Sequence, residues 1–173
     1  MKLINWIHFT WDLTELPRSE ADLPEHYEIT TATADDEKEL RRVIASSFSL
    51  DPDWNPTMHE VMQTIDGWLA DAWESDTKAA LVLRHGFRII GACVLSLKPD
   101  DDNHLSPGPC ILMEYRNRGF GTKLLDRSLR FLCDAGLDRA IGIAKENSPA
   151  TKFLYTKFGS VCGPHEPTRL VAA

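Results

Sequence analysis

The sequence predicts an α/β (α+β) domain: one mixed sheet with helices on both of its faces. Apolar residues recur with period two and with period 3.6 in alternating blocks, in the order β-α-α-β-β-β-α-β-α-β from residue 26 onward. The chain has 173 residues, within the span of about 100–200 that one domain occupies. Hydrophobic residues make up 43% and charged ones 26%, which supplies a core of ordinary size and excludes disorder, a collagen-like chain or a disulfide mini-scaffold.

Residues 1–25 read as an N-terminal arm, and 26–173 as the domain proper. In the arm Leu3, Ile7, Phe9, Trp11 and Leu13 fall on alternate positions, with Asn5 the exception, as in a half-buried strand. Pro17 and Pro24 then bracket a polar connection, and the arm is expected to pack on the body or on a partner subunit. Tyr27–Thr31 is a short strand. Thr33 and Asp36 are spaced as a capping box, ahead of a helix whose face holds Leu40, Val43, Ile44 and Phe48. Asn55-Pro56 opens a second helix, striped by Met58, Val61, Met62, Ile65, Trp68, Leu69 and Trp73. Ala79–Leu83 and Phe87–Leu97 form a hairpin around Arg84-His85-Gly86, and Gly91 marks a bulge or a close backbone approach.

The stretch Lys98–Pro109, with Asp100, Asp101 and Asp102, reads as a polar loop. Cys110–Met113 is a short buried strand. The helix after it turns Leu124, Leu125, Leu129 and Leu132 inward and stops at Gly136. Ala140–Ala144 is the next strand, and Asn147-Ser148-Pro149 opens a last helix. Ala150, Phe153, Leu154 and Phe158 are expected to share one face of it up to Gly159. One or two short strands around Pro164–Pro167 complete the chain.

Nineteen Lys and Arg against 26 Asp and Glu leave a net charge of −7. That lacks the basic footprint of a sequence-independent nucleic-acid binder and favours cationic partners. Cys93, Cys110, Cys133 and Cys162 show no metal-ligand spacing, so no metal is expected and the thiols read as reduced core residues. No run approaches the ~18 apolar residues of a membrane span, and residues 1–13 lack the marks of a signal peptide. A cytoplasmic protein is the expectation.

Chemistry concentrates where a strand is followed by Arg116-Asn117-Arg118-Gly119-Phe120-Gly121-Thr122 and then a helix. Glycines at a helix start let the backbone approach an anion, and the first turn offers unpaired N–H groups at the positive end of the dipole. The stretch is no Walker A loop, no dinucleotide fingerprint, no nucleophile elbow and no HExxH site. By itself it fits a tight turn as well as a phosphate site. Some 26 residues beyond Gly121 stands Asn147-x-x-Ala150-x-x-Phe153-Leu154-Tyr155.

Together the two motifs, their spacing and the element order resemble the GNAT superfamily of acyl-CoA-dependent N-acetyltransferases, over about residues 26–160. The resemblance implies a mostly antiparallel sheet whose strands at Ile111–Met113 and Ile141–Ala144 splay to admit pantetheine. It implies acetyl-CoA as donor, with Ile111, Leu112, Met113, Arg116, Asn117, Arg118, Gly119, Phe120, Gly121, Thr122, Asn147, Ala150 and Phe153 around it. The Ile111 N–H would stabilise the oxyanion and Tyr155 would protonate the departing thiolate. The acceptor would be a primary amine on a small molecule or protein, attacking directly.

Three departures stand out. Met113 replaces a common proline, Gly159-Ser160 replaces Gly-Phe, and the tail is short for the two terminal strands that close the acceptor side. A dimer partner or the N-terminal arm could supply the missing wall. A non-catalytic acyl-CoA sensor on the same fold is the alternative function, and a generic phosphate-binding domain a third. No unique general base emerges among His59, Glu60, Asp66, Glu74 and His104, each of which reads as a solvated surface residue.

Overall fold

The computed structural model describes residues 5–19 and 22–164. Its strands are β1 (Trp6–Asp12), β2 (Tyr27–Thr31), β3 (Lys78–His85), β4 (Arg88–Ser96), β5 (Cys110–Ile111), β6 (Arg139–Lys145) and β7 (Val161–Pro164). Its long helices are α1 (Glu37–Ser49), α2 (Met58–Glu74) and α3 (Phe120–Asp134). The expected α/β fold with mostly antiparallel strands is present, and its ladders fall into two antiparallel sets, ordered β2-β3-β4-β5 and β6-β1-β7.

Strand alternation puts helices on both faces of the first sheet. Cys110, paired with Ala92, meets Ser47 of α1, whereas Cys93, one step further along β4, meets Ser128 of α3. The Thr33–Asp36 capping box forms and leads into α1, with Leu40, Val43 and Ile44 buried. Asn55-Pro56 lies in a 3-10 turn, Pro52–Thr57, and α2 begins only at Met58; Val61, Ile65 and Leu69 are its buried stripe. At Gly91 both expectations hold. The β3–β4 register shifts beside it, and a Cβ there would come within 2.8 Å of Ile111 Cδ1.

The N-terminal segment is built into the fold. β1 lies in the middle of the second sheet, paired to β6 from Trp6 to Asp12 and to β7 from Ile7 to Thr10. Phe9, Trp11 and Leu13 are buried. The chain's N-terminal segment thus supplies the central strand of the second sheet. Leu3 and the turn at Pro164–Pro167 fall wholly or partly outside the described residues.

The two sheets meet at His104. The stretch read as a loop pairs with β4 after all: Ser96 N–H donates to the His104 carbonyl, Leu105 bridges Leu95, and Ser106 N–H reaches the Val94 carbonyl. His104 is not a surface residue. It is fully buried, its N–H donates to the Ile141 carbonyl (2.7 Å), and its Nδ1 accepts from the Ile141 N–H (2.9 Å). Nε2 therefore carries the proton and donates to the Lys98 carbonyl (2.8 Å). From this pin the strands diverge, and no ladder joins β5 to β6.

His104→Ala would leave the buried Ile141 N–H without its side-chain partner, at about 1–3 kcal/mol, and would remove the ring's bond to the carbonyl of exposed Lys98, worth about 0.5–1.5 kcal/mol. A fall in urea-unfolding stability of about 2–5 kcal/mol is expected.

Candidate active site

The divergence leaves an edge at Ile111. Leu112 N–H is taken by the Ile90 carbonyl (2.9 Å), so ladder alternation directs the Ile111 N–H and C=O to the opposite side, away from β4. The Ile111 carbonyl accepts from Arg116 Nε (3.0 Å), whose Nη2 also reaches Ser47 Oγ (3.0 Å). Arg116 is therefore folded inward, tying the loop to the strand and to α1. The Ile111 N–H is left facing the gap between the sheets. Without the proline, the chain still leaves the strand at Leu112, through a 3-10 turn over Met113–Tyr115 that leaves Met113 59% exposed.

Beyond it the loop turns sharply into α3. Asn117 (φ 62°) and Gly119 (φ 80°) are left-handed on either side of Arg118. Gly119 is the N-cap of α3 and carries no capping side chain, so the first-turn donors of Phe120, Gly121 and Thr122 keep no intrahelical partner. A Cβ on Gly121 would lie 3.8–3.9 Å from Leu154 and Ile111. The helix start thus opens onto the same gap. Beneath it Tyr27 stacks on His85 (4.3 Å) and on Phe120 (4.7 Å), and His85 Nδ1 meets Tyr115 Oη at 2.8 Å. Arg118 lies 5.5 Å over the Tyr115 ring at the exposed mouth.

The other wall departs from expectation. The last helix shrinks to one wide turn, Ala150–Leu154, in which the Tyr155 N–H reaches back five residues to the Ala150 carbonyl (2.8 Å). Pro149 brings no N–H, Ser148 and Thr151 bond to each other, and Thr151 Oγ1 takes the Lys145 carbonyl. These local bonds displace regular helix, and the expected shared face breaks up. Ala150, Leu154 and Phe158 pack on the core, Phe153 is 70% exposed, and Tyr155 takes the inward position at 3%. Asn147 is exposed at the tip of the preceding turn, with φ 63°. Lys145, just before it, binds Asp51 and Asp53 (2.8 Å to the latter), joining the α1–α2 connection to the end of β6.

Tyr155 sits edge-to-face against Phe9 (5.5 Å) and Trp11 (5.3 Å), and its hydroxyl is hydrogen-bonded to no group among the described residues. Burial, with the Cys93 and Cys110 thiols nearby, raises its pKa well above the usual phenol value. Burial likewise pushes the Cys110 thiol up to about 11 and the Cys93 thiol to about 12. All three therefore hold their protons at neutral pH.

The sequence profile described as the Acetyltransferase (GNAT) family matches residues 37–159, more than half of the chain. The chain belongs to the GNAT acetyltransferase family. No curated protein matches it. Among solved structures, a GNAT acetyltransferase from Brucella melitensis in complex with acetyl-CoA is 22% identical, with a TM-score of 0.52 over 66% of this chain and 73% of that one. AAC(6')-Iy, solved with the bisubstrate analogue CoA-S-monomethyl-acetylneamine, is 16% identical (TM-score 0.61; 85% of this chain, 95% of that). A GCN5-related N-acetyltransferase from Sphaerobacter thermophilus is 15% identical, with a TM-score of 0.67 over 94% of this chain. At these identities the likeness is one of fold. The chain spans only about half the length of several such structures, among them 59% of a Staphylococcus epidermidis protein of unknown function and 50% of the Sphaerobacter enzyme.

Gly121, in the first turn of α3, thus faces Ile111 of β5 and Leu154, the residue before Tyr155. The remaining candidate bases lie elsewhere: His59, Glu60, Asp66 and Glu74 are exposed on α2, and Asp66 is paired with Arg41 (2.6 Å). Among the described residues no group of three or more His, Cys, Asp or Glu is placed to hold a metal ion, and no helix is long and apolar enough to cross a membrane.

Proposed function

We propose that the protein transfers an acetyl group from acetyl-CoA to a primary amine by direct attack. One arrangement supports the reading: the open N–H donors of Phe120–Thr122 begin a helix whose Gly121 faces Ile111 and Leu154, and Tyr155, next after Leu154, has a hydroxyl bonded to no described group. The helix start and Asn117–Gly119 would hold the pyrophosphate, and Asn147 the pantetheine amides. Acetyl-CoA supplies an activated acyl carbon. Ile111 N–H then donates to the oxygen that gains negative charge as the amine attacks that carbon. Tyr155 Oη gives its proton to the sulfur as the C–S bond breaks.

Direct attack fits the thiols. Cys110, adjacent to Ile111, is held protonated, so it is a poor nucleophile for an acyl-enzyme route. Initial rates measured against both substrates are expected to give intersecting double-reciprocal lines. Parallel lines with an acetylated protein isolated in the absence of amine would contradict the mechanism.

The acceptor side is proposed to be bordered by α2 and the 98–109 segment. Asp100 and Asp102 are exposed there, while Asp101 is committed to Ser96 Oγ (2.6 Å). Cationic amines are therefore expected to be turned over faster than carboxylated ones in low salt, with the gap narrowing as salt rises. Rates across matched amine pairs check this.

A further inference from the structure

Gly108 lies between β4 and β5, in the run Ser106-Pro107-Gly108-Pro109. Gly86, Gly119, Gly136 and Gly159 have left-handed φ values, but Gly108 does not. No left-handed backbone calls for glycine there, so the reason for it is sought in space. A Cβ built there would stand 1.8 Å from Tyr155 Oη, 3.1 Å from Cζ and 3.7 Å from Cε1. The phenol oxygen occupies the volume a side chain at 108 would fill.

Tyr155 has no room to swing aside. The residue is 3% exposed, and its ring is wedged edge-to-face against Phe9 and Trp11. Trp11 is itself fully buried and tied by Nε1–H to the Lys157 carbonyl (2.8 Å). The Tyr155 backbone is fixed at both ends, its N–H by Ala150 and its carbonyl by Ser160 Oγ. We propose that Gly108 is a positioning residue for the Tyr155 hydroxyl: the bare Cα lets the phenol oxygen reach the β5 edge, and the β1 aromatics keep the ring there.

Gly108 matters to catalysis only if Tyr155 is the proton donor proposed above, and a four-protein cycle separates the two ideas. Wild type, Gly108→Ala, Tyr155→Phe and the double variant are compared by melting temperature. Thiol release from acetyl-CoA, with spermidine as the amine probe, gives kcat and KM. Gly108→Ala is expected to lower kcat as much as Tyr155→Phe does, by about 10²–10⁴-fold, with little change in the acetyl-CoA KM. The double variant is expected to be no slower than Tyr155→Phe and to regain most of the melting temperature that Gly108→Ala loses, because the clashing oxygen is gone.

If Gly108→Ala fails to fold while the double variant folds, the coupling is established in stronger form. Equal losses of melting temperature in both backgrounds, or failure of both Gly108→Ala proteins to fold, would overturn the proposal. Full kcat in Tyr155→Phe would overturn the proton-donor assignment and the catalytic role of Gly108 with it, while leaving the packing coupling measurable. The melting cycle decides by itself if spermidine is not turned over.

Discussion

Tyr155→Phe is expected to reduce kcat by about 10²–10⁴-fold, the usual worth of a positioned general acid. The substitution removes one oxygen that is hydrogen-bonded to no described group, so it strands no partner. The ring keeps its contacts with Phe9 and Trp11, and acetyl-CoA affinity and melting temperature should stay near wild type. A tyrosine with a purely structural role predicts the reverse, lower stability with kcat intact. The raised pKa adds a sign: the acid form persists as pH climbs through 10, so loss of Tyr155's proton should not set an alkaline limb near that value. Stopped-flow or steady-state kcat, taken where chemistry limits the rate, checks both statements.

Gly121→Glu should abolish measurable acetyl-CoA binding while leaving the fold intact. The first carbon of the new side chain fits, at 3.8–3.9 Å from Leu154 and Ile111. Its carboxylate is then carried into the gap beside the first turn of α3. There it competes with the pyrophosphate for the N–H donors and repels it. Gly121→Ala separates the two effects, since a methyl group meets only ordinary contacts and should bind nearly as wild type does. Calorimetric titration with acetyl-CoA reads both variants, and undiminished affinity in Gly121→Glu would place the pyrophosphate elsewhere.

Much of this arrangement was legible from residues alone, because the relevant signals are local. Asn117 and Gly119 announce left-handed turns, the leucines of α3 give a clean helical face, and Thr33 with Asp36 forms the cap it resembles. Long-range features were not legible. Nothing in the first thirteen residues says that β1 enters the middle of the second sheet, since alternation specifies a strand and not its neighbours. His104 carries no mark of its double hydrogen bond to Ile141, which is 37 positions away. The last helix failed for a local reason that pattern reading passes over. Ser148 and Thr151 side chains compete for the backbone, which turns Phe153 out and Tyr155 in. Gly108 was hidden in a proline-flanked run that reads as loop, although a glycine with no turn to make hints at a close approach.

The most direct test of the central claim is the stoichiometry of acetyl-CoA turnover against a panel of small amines and peptides, with thiol release and acetylated product quantified together. The geometry predicts one free thiol for each acetylated amine, at a rate that collapses in Tyr155→Phe. Tight acetyl-CoA binding with no thiol released above the uncatalysed rate for any amine would contradict it, and would make the protein an acyl-CoA sensor on an acetyltransferase fold.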